Sequence, residues 1–146
     1  MTQIDEILNK IVELLEVYPG LSSVKKWHKV DGMIPAVHPC GSVSPIQENF
    51  EQITRDKDES TGRFAIFVYL QHVNPEAGEE QIRELAHNIR LALTADNDNR
   101  RLAGVGGTTD SYIYSIKYMT IDASATLLLH AAEVDYRVKY GSFRTA

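Results

Sequence analysis

The segment Phe64-Ala65-Ile66-Phe67-Val68-Tyr69-Leu70 is apolar at every position. In a strand, successive side chains point to opposite faces. Phe64, Ile66, Val68 and Leu70 then share one face, and Ala65, Phe67 and Tyr69 the other. A strand over Arg63 to Val73 with both faces apolar belongs in the middle of a sheet, covered on both sides. Asn74-Pro75-Glu76-Ala77-Gly78 breaks it.

The rest of the chain is read around that strand. Ile4, Ile7, Leu8, Ile11, Leu14 and Leu15 recur at helical spacing and predict an amphipathic helix that must dock on a sheet face. Thr2 or Asp5 can cap its start, and Pro19-Gly20 stops it. Val24 to Val30 is a candidate strand, followed by a turn at Asp31-Gly32. Ile34-Pro35-Ala36-Val37-His38 has the texture of an edge strand. Ser44-Pro45-Ile46-Gln47 can cap a helix, with proline at the first helical position. Phe50 to Arg55 fits a helix or a strand, and a strand is preferred. Arg55-Asp56-Lys57-Asp58-Glu59-Ser60-Thr61-Gly62 reads as a charged, glycine-ended loop into the central strand.

A second helix is expected from about Glu79 to Thr94, burying Ile82, Leu85, Ala86, Ile89 and Leu93. The stretch Ala95 to Asp110 is polar and glycine-rich. Two strands follow, over Tyr112 to Ile121 and Leu127 to Tyr140. The second ends in alternation, with Val134, Tyr136, Val138 and Tyr140 inward and Glu133, Asp135, Arg137 and Lys139 outward. Gly141 to Ala146 is a tail. The whole predicts one α+β domain over residues 1–146: a mainly antiparallel sheet with two amphipathic helices packed on it.

Composition narrows the function. The formal net charge of −5 argues against a protein that coats DNA, which needs a basic excess. It allows a protein that encloses DNA without gripping it. The single cysteine, Cys40, forbids an intrachain disulfide and fits a reducing compartment. The N-terminus lacks the basic and apolar runs of a signal peptide, and neither Phe64 to Leu70 nor Ala123 to Ala132 is long enough to span a membrane. Synthesis in the cytoplasm is expected, with no membrane partner.

Catalytic patterns are sparse. Gly104-Val105-Gly106-Gly107 follows a helix and precedes a strand, the reverse of a phosphate-cradling loop, and has no lysine beside it; a turn is the simpler reading. His28, His38, His72, His87 and His130 show no metal-ligand spacing. His72 and His130 read as core histidines satisfied by hydrogen bonds. Cys40, in Pro39-Cys40-Gly41, lacks an activating helix start. No catalytic residue, metal or cofactor is expected. The tyrosines at 112, 114, 118, 136 and 140 suit either a sheet face under a helix or a subunit interface.

In order and texture the chain resembles the tail terminator proteins of long-tailed bacteriophages and related minor tail or neck proteins. The resemblance spans nearly the whole chain. It rests on the helix Ile4 to Leu15, the Ile34-Pro35-Ala36-Val37 segment and the charged loop into Arg63-Phe64-Ala65-Ile66-Phe67-Val68. It continues through the helix containing Glu84-Leu85-Ala86 and Ile89-Arg90 and the closing Val134-Asp135-Tyr136-Arg137-Val138. Val24 to Val30 and the Pro39-Cys40-Gly41 turn have no counterpart in it. The resemblance implies a virion protein of the tail or neck, made in the host cytoplasm. Its copies form a ring, commonly a hexamer, that caps the tail tube at its head-proximal end. The implied partners are other copies of itself, the tail-tube protein and a head or neck connector, with DNA passing through the lumen. In such a ring, mixed-charge loops recur around the circle. This makes Arg55, Asp56, Lys57, Asp58, Glu59, Arg63, Arg100 and Arg101 the candidate subunit-interface residues. The alternatives are another particle component, a head-completion or tail-tube protein, and a small-ligand-binding or enzymatic α+β domain.

Overall fold

In the computed structural model, residues 1–30, 39–122 and 128–143 are described. The expected turn at Asp31-Gly32, the expected strand Ile34 to His38 and the last residues of the tail lie outside them.

The elements are α1 (Gln3–Val17), a 3₁₀ turn (Pro19–Leu21), β1 (Trp27–His28), β2 (Cys40–Gln52), β3 (Lys57–His72), α2 (Pro75–Thr94), α3 (Asn97–Arg100), β4 (Thr108–Asp122) and β5 (Leu128–Phe143). Among the described residues the sheet has five strands in the order β1-β2-β3-β5-β4. Only the short β1–β2 pairing is parallel; the rest is antiparallel. The fold is α+β, with both long helices on one face of the sheet.

Local chemistry sets the helix ends. Thr2 caps α1 through a reciprocal capping box: its hydroxyl accepts from the Asp5 backbone N–H, and the Asp5 carboxylate accepts from the Thr2 backbone N–H. Those bonds to Thr2 hold the Asp5 carboxyl below its ordinary pKa of 3.8. Asn74 caps α2 by accepting from the Ala77 N–H, and Pro75 occupies the first turn, where its missing donor costs nothing.

β3 is the middle strand, as its two apolar faces require. Phe64, Ile66, Val68 and Leu70 form one core with Ile7, Ile11 and Leu15 of α1, Ile82, Leu85 and Ile89 of α2, and Val134, Tyr136 and Val138 of β5. Tyr69 and Ala65 are buried on the opposite face. There the cover is a smaller cluster of Cys40, Tyr69, Leu129 and Ala131, with Phe67 and Met119 partly buried, and no helix among the described residues.

Several expectations need correction. The candidate strand Val24 to Val30 shrinks to the two residues of β1. Ser44-Pro45-Ile46-Gln47 caps no helix: it lies inside β2, paired with β3, and the register shifts between Pro45 and Gln47. Tertiary pairing overrides the local signal. Pro45 is tolerated because β1 reaches only Gly41 and Ser42, so that beyond them β2 has no outer partner among the described residues. The preferred strand at Phe50 to Arg55 ends at Gln52. The charged loop is only a turn over residues 53–56, with Lys57 to Gly62 already in β3. The Ile53 and Thr54 N–H groups donate to the Lys57 carbonyl, and Lys57 N–H donates to the Thr54 hydroxyl. The start of the tail is strand as well, since β5 runs on to Phe143.

The glycine cluster 104–107 forms turns. Gly104 and Gly107 have φ of +99° and +85°, and a methyl at Gly107 would stand 2.8 Å from the Gly141 carbonyl oxygen. The Gln3 side-chain amide donates to the Gly106 and Gly141 carbonyls, tying this loop and β5 to α1.

Candidate assembly surfaces

The helix-free face of the sheet carries an ordered charged group. Arg63 of β3 pairs with Arg137 of β5 across the ladder, and alternation places Asp135 on the same face. Arg63 Nε donates to Asp135 Oδ2 at 3.1 Å, and Arg137 Nε donates to Asp135 Oδ1 at 3.3 Å. The Asp135 side chain is only 10 % exposed, so its charge needs both guanidiniums. The Arg137 guanidinium lies 3.8 Å from the centre of the Tyr114 ring, and Lys139 Nζ lies 6.0 Å from that of Tyr112. A surface built this way offers directional polar contacts on a rigid support.

The second surface is the end of the β2–β3 hairpin. Phe50 is 62 % exposed and Ile53 52 %, among exposed charges at Glu51, Arg55, Asp56, Lys57 and Glu59. The hairpin is fastened to the body where the Tyr140 hydroxyl donates to Glu48. A shallow recess between Ile53, Lys57, Glu59, Thr109 and Tyr140 lies at its base.

The sheet edges form a third feature. Beyond Ser42, β2 has no outer neighbour among the described residues, and neither does β4. The two edges run in opposite directions, because three successive antiparallel pairings separate them. The outer side of β4 is flanked by exposed Tyr114 and Tyr118.

The candidate interface residues therefore fall into three places. Arg55, Asp56, Lys57, Asp58 and Glu59 gather at the hairpin end. Arg63 lies on the open sheet face and is bound to Asp135. Arg100 and Arg101 lie at the end of α3, where Arg100 Nη2 is 3.3 Å from Asp110 Oδ1 within the same chain. Sequence reading missed the grouping of Arg63, Asp135, Arg137 and Tyr114, although the outward alternation in β5 already put two of them on one face. It also missed the exposed apolar pair Phe50 and Ile53. The five tyrosines divide. Tyr136 and Tyr140 are buried under the helices, Tyr112 is half-buried, and Tyr114 and Tyr118 are exposed.

Chemistry remains thin elsewhere. Among the described residues no three histidine, cysteine or acidic side chains are placed to hold a metal ion, and no helix is long and apolar enough to cross a membrane. Burial pushes the Cys40 thiol up to about 11. His72 Nδ1 accepts from the Asn74 N–H at 2.9 Å, as a satisfied histidine should. His130 does not fit that expectation: it is 1 % exposed, and among the described residues neither ring nitrogen has a hydrogen-bond partner.

No family model matches this chain, and no curated protein is detectably related to it. Among solved structures, it is similar to a chain of the virion of the native gene transfer agent particle. The match has a TM-score of 0.51 and 13% identity, and it covers 90% of this chain and 84% of that one. At that identity the likeness is one of fold.

Proposed function

We propose that this protein is a structural, non-catalytic component of a phage-like particle. In that role its copies assemble into a ring, of six by the resemblance its sequence carries, that caps a tail tube at the head-proximal end. The observation that carries the reading is the likeness of its fold, over 90% of this chain, to a chain of a gene transfer agent virion. The tail-terminator texture of the sequence supplies the finer placement.

The geometry supports assembly by rotation. A head-to-tail contact presents one surface of a subunit to a different surface of the next, and it closes when the rotation divides the circle. The open edges of β2 and β4 run antiparallel, so copies turned about an axis along the strands bring β2 of one beside β4 of the next in pairing orientation. Phe50, Ile53, Tyr114 and Tyr118 supply apolar and aromatic area, and the hairpin charges supply register. The net charge of −5 suits a conduit that must let a polyanion slide through its lumen.

The test is to mix purified protein with tail tubes and image them. The expected result is a ring on one end of each tube and an end to further growth. Incorporation along the whole tube would make it a tube subunit instead. Binding to heads without tubes would make it a head-completion protein.

A further inference from the structure

We propose, resting on the ring reading, that Lys25 and Lys26 beside β1 of one copy dock on Glu79 and Tyr118 of the next, where a recess between α2 and β4 takes up a lysine side chain. The two surfaces share one height along the strands. A single row of the sheet runs from edge to edge through Trp27, Gly41, Val68, Ala132 and Tyr118. Copies related by rotation about an axis along the strands are not displaced along it, so the surfaces that meet must lie at one height. β1 at one end of this row and Tyr118 at the other satisfy that condition. Among the described residues β1 is the outermost strand on its side, so at this height it is the strand that faces the next copy.

The charges at the two ends are opposite. Lys25, Lys26 and Lys29 are exposed around Trp27. Glu16 of α1 lines a recess together with Lys25 and Lys26, and Lys29 Nζ donates to the neutral Asn9 side chain at 2.7 Å. The lysines outnumber that carboxylate, so this end is positive. At the other end Glu76, Glu79 and Glu80 are exposed on the first turns of α2, with Arg83 3.9 Å from Glu79. The carboxylates outnumber that guanidinium, so this end is negative. Lys117 is exposed in β4 as well, but alternation puts it on the opposite face from Tyr118. Four strand spacings, about 19 Å, separate the two edges, so the charges cannot satisfy one another within a chain. The recess suits a lysine. It has a volume of about 240 Å³, and Ile82, Tyr118 and Glu79 are among its walls. Ile82 and the Tyr118 ring cover the apolar stem, and the ring and the Glu79 carboxylate attract the ammonium group.

Sedimentation velocity on whole chains, with circular dichroism to confirm folding, tests the contact. The double variant Lys25→Glu with Lys26→Glu, and separately Glu79→Lys, should each weaken assembly about tenfold or more, because each sets like charges together. An equimolar mixture of the two variant chains should recover assembly, since every junction of an alternating ring then joins opposite charges. On the unaltered chain, a zero-length carbodiimide cross-linker should join Lys25 or Lys26 to Glu79, and only in the assembled species. If the wild type assembles, the contact is overturned by variants that assemble as tightly, by a mixture that does not recover, or by absence of that cross-link; the ring reading then stands without it. If the wild type stays monomeric at every concentration, both fall. The cross-link is read on the unaltered chain, so it decides the matter even if a variant does not fold.

Discussion

Gly78 of α2 lies against the imidazole of His130 so closely that an ideal Cβ at position 78 would stand 2.3 Å from Nε2. The helix can approach β5 here only because it presents no side chain. Gly78→Ala should gain about 1 kcal/mol of helix propensity and lose about 1–3 kcal/mol to overpacking. A net destabilisation is expected by urea unfolding. In a His130→Ala background the same substitution should be neutral or stabilising, because the clash is gone.

Gly41 and Trp27 repeat the device at the β1–β2 pairing. A Cβ on Gly41 would meet the indole ring at 2.3 Å. Gly41→Ala should destabilise by about 1–3 kcal/mol. The chain has a single tryptophan, so its fluorescence should also shift as the indole is pushed out of its buried site.

Reversal of charge should act differently at Arg55 and at Arg63. Arg55 is exposed in the hairpin turn, and Arg55→Glu should leave the monomer folded and weaken assembly. Arg63→Glu sets a second carboxylate against the largely buried Asp135 and should cost about 1–3 kcal/mol of stability. Circular dichroism during denaturation, run beside light scattering, separates the two effects.

The burial that raises the Cys40 thiol to about 11 gives a signed pH dependence. The folded state holds the proton more tightly than the unfolded state, whose thiol ionises near its ordinary value of 9.0. This contribution is fully present below about pH 9 and is lost as pH rises towards 11. Native protein should react slowly with thiol reagents at neutral pH and quickly once unfolded. Fast labelling of the folded chain would contradict the burial.

Much of this fold was legible in the sequence where one physical signal dominated. The helical recurrence from Ile4 to Leu15 with Thr2 ahead of it, and the alternation of Val134, Tyr136, Val138 and Tyr140, each point to one element and one buried face. The signal failed where pairing partners decide. Lys57 to Gly62 is strand because it is held between β2 and β5, although its charges read locally as a loop. Pro45 enters a strand because β2 has no outer partner there among the described residues. The open-face group was half visible: outward alternation marked Asp135 and Arg137, but only the β3–β5 register brings Arg63 to them. The contact of Gly78 with His130 has no local signature, since it depends on how α2 crosses β5.

The central claim is self-assembly of this chain into a closed ring, and the most direct measurement is the mass distribution of the untagged protein by sedimentation velocity over a wide concentration range. The account predicts a discrete species of several copies of the 16.4 kDa chain, six by the resemblance, that appears as a ring by electron microscopy and is lost in Arg55→Glu. A monomer at every concentration, with no ring formed even on tail tubes, would contradict it.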